Sequence, residues 1–404
     1  MSRFYKLLNF MNRKRFLYSL AISALVSLVL MIVCYVYMNM SYTYGYGDAT
    51  INQMSFLKDM FRPSEPADDV IAVNVSYDRD LIPFNDSQGI PAGAIDITDR
   101  AKLLELMTRL KKWDNYKYIL CDIRFDDAQL ATPYDSALFS CIASMRDIVV
   151  ATENPEAAPE QIREKAAVAR YKVRMAGDDF MKYNFISDGH EGIALKMWKD
   201  LTGGSYEKHW WGYTSNGKLC VNSIIPDIRF AIYDIYSPDG DKLIYQLGTD
   251  ITDYPEEYVE ELFTDKMVLI GDWLKDDLHM TVRSSQPGVS ILYNAFLCIM
   301  NGEHILPWWV YVLLLLTFFV ESMFMLKDYW QFQAPDWKIV RWFRRLSGVN
   351  IGHFNVGRLL KNVLAFISYS TPLVLVCEFI YLTCGVFVNA IVIGTLFYIA
   401  SLFI

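Results

Sequence analysis

Residues 265–281 read DKMVLIGDWLKDDLHMT, an apolar run of five residues, Met267–Gly271, that gives way at once to an acidic loop. So short and continuous a run marks a strand covered on both faces, as in a parallel sheet. VIAVNV at 70–75, YILCDIRF at 118–125 and a run at 148–151 read as strands of the same kind. Helices separate them. The first is predicted over 97–113, with Thr98 or Asp99 as N-cap and Leu103, Leu104, Met107 and Leu110 at helical spacing. Others are expected over 135–145, 192–201, 255–263 and 288–300, the last stopped by Gly302. Alternating strand and helix predicts an α/β domain with a mostly parallel sheet flanked by helices. The run 161–170 favours helix, and 203–216, with His209, Trp210, Trp211 and Tyr213, reads as an exposed aromatic loop.

This block is bracketed by apolar runs at 16–38, 306–326, 363–383 and 386–404. Each is long enough, or nearly so, to cross a hydrocarbon core of about 30 Å as a helix, so four transmembrane α-helices are expected. Basic residues crowd the N-terminal segment 1–15 and the loop 327–362 between the second and third runs. By the positive-inside rule both are cytoplasmic and 39–305 is extracytoplasmic. A cleaved signal peptide is the competing reading of the first run. That run is too long, and the Tyr37-Met-Asn-Met-Ser that follows offers no small-residue cleavage pattern. Within the cytoplasmic loop, 337–346 has the composition of an interfacial helix. Its Trp337, Arg341, Trp342, Arg344 and Arg345 are candidates for contact with the bilayer surface or a cytoplasmic partner. Two carboxylates, Glu321 and Glu378, fall inside apolar runs, each about one turn from a membrane face.

The chain carries 38 basic and 46 acidic residues, and because the membrane-flanking segments are mostly basic, the acidic excess concentrates in the central block. Such a domain lacks the basic footprint that nucleic-acid binding needs. Seven cysteines are scattered without zinc-site or disulfide-frame spacing, and Cys121, Cys141, Cys220 and Cys298 of the central block read as buried free thiols.

Three stretches, VIAVNVSYD at 70–78, ITDRAKLLELMTRL leading into YKYILCDIRFDD over 97–127, and DKMVLIGDWLKDDLHMT at 265–281 followed by QPGVSILYNAFLCIMNGE at 286–303, together resemble the CHASE type 2 domain. That family is an extracytoplasmic sensory module of bacterial signalling receptors. It places one membrane helix before the domain and three after it, and the resemblance implies residence in the bacterial cytoplasmic (inner) membrane. Family receptors continue into a cytoplasmic kinase or cyclase. This sequence stops at Ile404 and has IPAGAID at 90–96 in place of a common Trp-Pro-type signature. The expectation is a stand-alone member that relays its signal through a separate partner.

Ligands of parallel α/β sheets tend to bind at the C-terminal ends of the strands. Asp78, Asp122, Asp126, Asp127 and Asp272 lie at or near such ends, and Asp277 and Thr281 follow in the next loop. Converging, they would hold a divalent cation or hydrogen-bond a small polar ligand. Each alone reads more readily as a solvated strand-end acid or helix cap, and the two readings balance only for the group. Asn294 joins the candidates through the family pattern, although it also reads as a polar residue on a packed helix. His279 has no partner His or Cys at ligand spacing, and no nucleophile, phosphate-loop or zinc-hydrolase signature is present. The expected function is a sensor that relays an extracytoplasmic signal. The alternatives are a metal-dependent periplasmic enzyme built on the aspartates and a scaffold of a membrane complex. The expected partners are the lipid bilayer, a separate signalling or membrane protein and, as an open possibility, a second copy of the chain. No cofactor is specified.

Overall fold

A computed structural model describes residues 13–40, 47–61, 69–85, 88–127, 130–169, 172–173, 180–232, 234–281, 284–326 and 371–401. They fall into two units, an α/β unit over 51–304 and a helical unit of the flanking segments. The helices of both units are α1 (Arg13–Met38), α2 (Gly47–Phe61), α3 (Arg100–Trp113), α4 (Asp135–Ser144), α5 (Ile193–Thr202), α6 (Glu256–Phe263), α7 (Gly288–Met300) and α8 (Trp308–Met325). The strands used below are β1 (Val70–Asn74), β2 (Arg79–Asn85), β3 (Pro91–Thr98), β4 (Tyr118–Cys121), β5 (Ile148–Thr152), β6 (Ala166–Val168), β7 (Tyr206–His209), β8 (Gly212–Ser215), β9 (Ile244–Gln246) and β10 (Met267–Gly271).

The central sheet has six strands in the order β9-β1-β10-β4-β5-β6, every pair parallel. The three apolar stretches that define the fold are thus adjacent: Ile71 pairs with Val268, and Val268 with Ile119. Side chains alternate between faces. Ile71, Val73, Ile119, Cys121, Val268 and Ile270 join one core cluster with Leu103, Met107 and Leu110 of α3, Leu138 of α4 and Val259 of α6. The opposite face is covered by α5 and α7, which pack on β5 and β10 and on each other. Burial on both faces explains why these strands are apolar throughout.

Several boundaries differ from the sequence expectation. The strand expected over 118–125 leaves the sheet after Cys121. Ile123 and Phe125 remain buried while Arg124 and Asp127 are exposed, so the alternation there belongs to a loop that mimics a strand. Helix α3 begins only at Arg100. Ile97 and Thr98 belong to β3, which pairs antiparallel with β2, and Asp99 caps the helix by accepting from Ala101 and Lys102 at 3.0 and 3.1 Å. The run expected as helix at 161–170 forms a 3-10 turn, Glu160–Lys165, and then edge strand β6, where pairing with β5 overrides local helix preference. The aromatic segment 203–216 is a hairpin of β7 and β8, with Trp210 exposed at its tip.

A buried ionic cluster ties distant parts of the α/β unit together. Lys58 Nζ lies 3.1 Å from both Asp227 and Glu303, and Arg229 reaches the same two carboxylates. Burial alone would raise the Asp227 pKa, but Lys58 and Arg229 hold it below the usual carboxylate range. None of the seven cysteines forms a disulfide, and Cys121, Cys141, Cys220 and Cys298 are buried.

In the helical unit, α1 packs along α8. Ser19, Ser23 and Ser27, spaced four apart, lie on the buried face of α1, and Glu321 and Ser322 are buried on α8. Small residues at this spacing allow close helix approach. Among the described residues two helices, 14–38 within α1 and Trp308–Met325, are long and apolar enough to cross a membrane, where four spans were expected. Of the third run, 371–383 is described and lies in a shorter apolar helix, Thr371–Cys384, that ends where the Gly385 N–H bonds the Tyr381 carbonyl with φ 74°. The fourth run starts its helix only at Ala390, because Asn389 caps it by accepting from the Val392 N–H at 3.1 Å. The loop 327–362, with Trp337, Arg341, Trp342, Arg344 and Arg345, lies outside the described residues.

Candidate functional site

Beyond the C-terminal ends of β1, β10 and β4 lies a cleft of about 960 Å³. Parallel strands send their loops to one edge, and the loops after these three neighbours form its floor and one wall. Ile95, Ile97 and Thr98 of the β2–β3 hairpin form another wall, and Ile291 and Leu292 of α7 supply an apolar patch.

The strand-end aspartates do not act as one group. Asp78 accepts from Lys102 Nζ at 2.6 Å and from the Gly248 N–H at 3.0 Å, so it fastens α3 to the turn after β9 and does not line the cleft. A side chain at position 248 would collide with that carboxylate, which accounts for the glycine. Asp272 lines the cleft but is fully engaged: Ser76 Oγ donates to it, Arg79 Nη2 donates at 2.7 Å, and the N–H groups of Leu274, Lys275 and Asp276 donate at 3.2, 2.9 and 3.2 Å. Burial favours its neutral form, yet these donors prevail and hold the pKa below the ordinary value.

Asp122 and Asp277 do meet. Asp122 follows β4 and is half-buried. Burial, then the nearby charge of Asp277 and a carboxyl–carboxyl hydrogen bond, raises its pKa well above the usual range, with Arg124 opposing. Asp277 lies 2.8 Å from His279 Nε2, and the space beside it is kept open because Gly288, at the start of α7, has no side chain to strike it. Asp126 accepts from the Glu153 N–H at 2.6 Å through Oδ2 and leaves Oδ1 buried without a partner, while Asp127 sits at the cleft rim.

Thr281 and Asn294 stand apart from the cleft. Thr281 closes a turn by donating to the Ser284 carbonyl at 2.7 Å. Asn294 is wholly buried: Oδ1 accepts from the Arg229 and Phe230 N–H groups at 2.8 and 2.9 Å, and Nδ2 donates to the Phe230 and Ser290 carbonyls at 2.7 and 2.8 Å. Its role in the fold is structural.

No protein-family model, curated protein or solved structure matches the chain.

Sequence reasoning missed Arg79 and Arg100 among other cleft residues. Arg79 ties the loop after β1 to Asp272. Arg100, at the first position of α3, turns into the cleft and lies over the Phe125 ring, 4.2 Å from its centroid. An arginine at N1 is placed against the helix dipole, and that mismatch was the available signal. Among the described residues no three His, Cys, Asp or Glu side chains group to hold a metal ion. Asp78 and Asp272 are already engaged by donors, which leaves the remaining polar groups of the cleft to hydrogen-bond a ligand.

Proposed function

We propose that this chain is a membrane-anchored, receptor-like sensor of the CHASE type 2 kind, whose α/β unit binds an extracytoplasmic ligand and whose helices relay the event to a separate partner. In this reading four helices hold it in the bacterial cytoplasmic membrane. Two of them, 14–38 and Trp308–Met325, have the length and apolarity for it, and in the chain they stand directly before and after the α/β unit. The observation that carries the reading is the cleft. Its volume of about 960 Å³ falls in the range of small-molecule sites, and it lies at the edge of a parallel sheet where ligands bind.

The test is to purify the full chain in mild detergent and identify co-purifying small molecules and proteins by mass spectrometry. A parallel sample carries Ile95→Trp, which would place an indole in the cleft. A small molecule retained by the native chain and lost from the variant is expected, with both unfolding alike. Equal small-molecule content in the two would refute the reading.

A further inference from the structure

Arg100 is unusual for a buried cation. Its side chain is 4% exposed, stacked on Phe125, and anchored by one bond, from Nη2 to the Arg124 carbonyl at 3.3 Å. Nε and Nη1 are buried with no hydrogen-bond partner. Asp135 stands 4.0 Å from Nε, close enough to balance charge and too far to accept a hydrogen bond. The guanidinium is therefore held rigidly at the cleft wall with N–H groups unserved. Such an arrangement is matched by the planar oxygens of a carboxylate.

The rest of the cleft rejects a strongly anionic ligand. Its lining includes nine carboxyl residues against three arginines, and two of those arginines are taken: Arg79 by Asp272 and Arg124 by Glu153. A phosphate or dicarboxylate would meet net repulsion. A ligand carrying one carboxylate must bring its own positive charge, and the Asp122–Asp277 pair is where that charge fits. Burial and the neighbouring Asp277 charge disfavour the Asp122 carboxylate, and an ammonium group placed between the two side chains would relieve that repulsion. The chain keeps the two ends close: the carbonyl that anchors Arg100 belongs to Arg124, two residues past Asp122, a backbone separation of at most about 7 Å.

We propose that the cleft takes a small zwitterion of the amino-acid class, its carboxylate on Arg100 and its ammonium group between Asp122 and Asp277. The proposal rests on the sensor reading in that both use the same cleft, and it names the ligand chemistry that reading leaves open.

The test is titration calorimetry on the full chain in detergent. The probes are the L-amino acids and the series glycine, β-alanine, γ-aminobutyrate and 5-aminovalerate, which varies the distance between the charged ends. Propionate and propylammonium serve as the two half-ligands, and glucose and inorganic phosphate as unrelated polar probes. At least one zwitterion is expected to bind roughly tenfold or more tightly than either half-ligand, a difference of about 1.4 kcal/mol. Asp122→Asn is expected to weaken that zwitterion roughly tenfold while the melting temperature is kept. Arg100→Lys, which removes the planar fork but keeps the charge, should weaken zwitterion and propionate alike. Because replacing a buried guanidinium can unfold the protein, Asp122→Asn decides the matter. Zwitterions binding no better than the half-ligands, or unchanged by Asp122→Asn, would overturn the proposal. Binding of glucose or phosphate that Ile95→Trp abolishes, without preference for zwitterions, would overturn it while leaving a ligand-binding cleft intact. Absence of binding by every probe at millimolar concentration would count against the zwitterion alone, and the co-purification comparison would still decide the sensor.

Discussion

Replacing Asn294 by alanine removes a side chain that serves four backbone groups at once. The Phe230 carbonyl keeps a hydrogen bond from Ser290 Oγ at 3.2 Å and the Arg229 N–H keeps the Asp227 carbonyl at 2.9 Å, but the Phe230 N–H loses the acceptor that the amide provides. An unsatisfied buried donor costs about 1–3 kcal/mol, so the variant is expected to lose about 1–3 kcal/mol from the Phe230 N–H. Against the roughly 5–15 kcal/mol that holds a typical domain together that is a measurable loss, and it corresponds to a drop in melting temperature on the order of 2–12 °C. Asn294→Asp keeps the acceptor and loses the donor, setting a carboxylate against the Phe230 and Ser290 carbonyls, and should be destabilised as well. Urea unfolding of the full chain in detergent, followed by tryptophan fluorescence, measures both. A loss under about 1 kcal/mol for Asn294→Ala would refute the accounting. Lost ligand binding at unchanged stability would return Asn294 to the ligand site.

His304 is buried among Phe185, Trp198 and Tyr206 with both ring nitrogens unpartnered, and burial pushes its pKa down to about 4. Between the unfolded value near 6.5 and about 4 the unfolded chain takes up a proton that the folded chain refuses. Stability is therefore present above pH 6.5, falls on the order of 3 kcal/mol across that window and levels off below it; His304→Phe should flatten this limb in unfolding curves taken at stepped pH. For topology, a reporter fused near Asp239 should read extracytoplasmic and one within 336–350 cytoplasmic, and a cytoplasmic signal from Asp239 would overturn the orientation. If 337–346 docks a partner, replacing Arg341, Arg344 and Arg345 with alanine should reduce partner recovery with the α/β unit folded. Unchanged recovery would leave only attraction to the lipid surface, worth about 1 kcal/mol per basic residue.

The parallel core was legible because Met267–Gly271 and its neighbours are apolar at every position, a pattern that only two-sided burial demands. Strand β9 was not, since three residues, Ile244–Gln246, carry too short a signal. The β2–β3 hairpin was hidden by PAGAID at 91–96, whose small residues are largely exposed and show no alternation. At the site, the loop position of Asp277 followed from chain order, whereas Asp122 fell inside the strand expected over 118–125, which ends at Cys121. Which aspartates are spent on Lys102, Ser76 and Arg79 depends on partners 24 to 196 residues away, and no local spacing encodes that. Asn294 failed as a ligand candidate for the same reason, its partners lying in the separate segment that contains Arg229 and Phe230.

The cluster of Lys58, Asp227, Arg229 and Glu303 has a consequence for how the protein is assembled. Lys58 belongs to the first helix of the α/β unit and Glu303 to its last residues, and their charged groups sit 3.1 Å apart. The unit is therefore stitched shut where the chain enters and leaves. A body with its two ends joined is topologically an insertion, threaded into a helical protein as one closed loop. Such a module can be exchanged between host helices without rerouting the chain, provided the buried lysine and glutamate travel together.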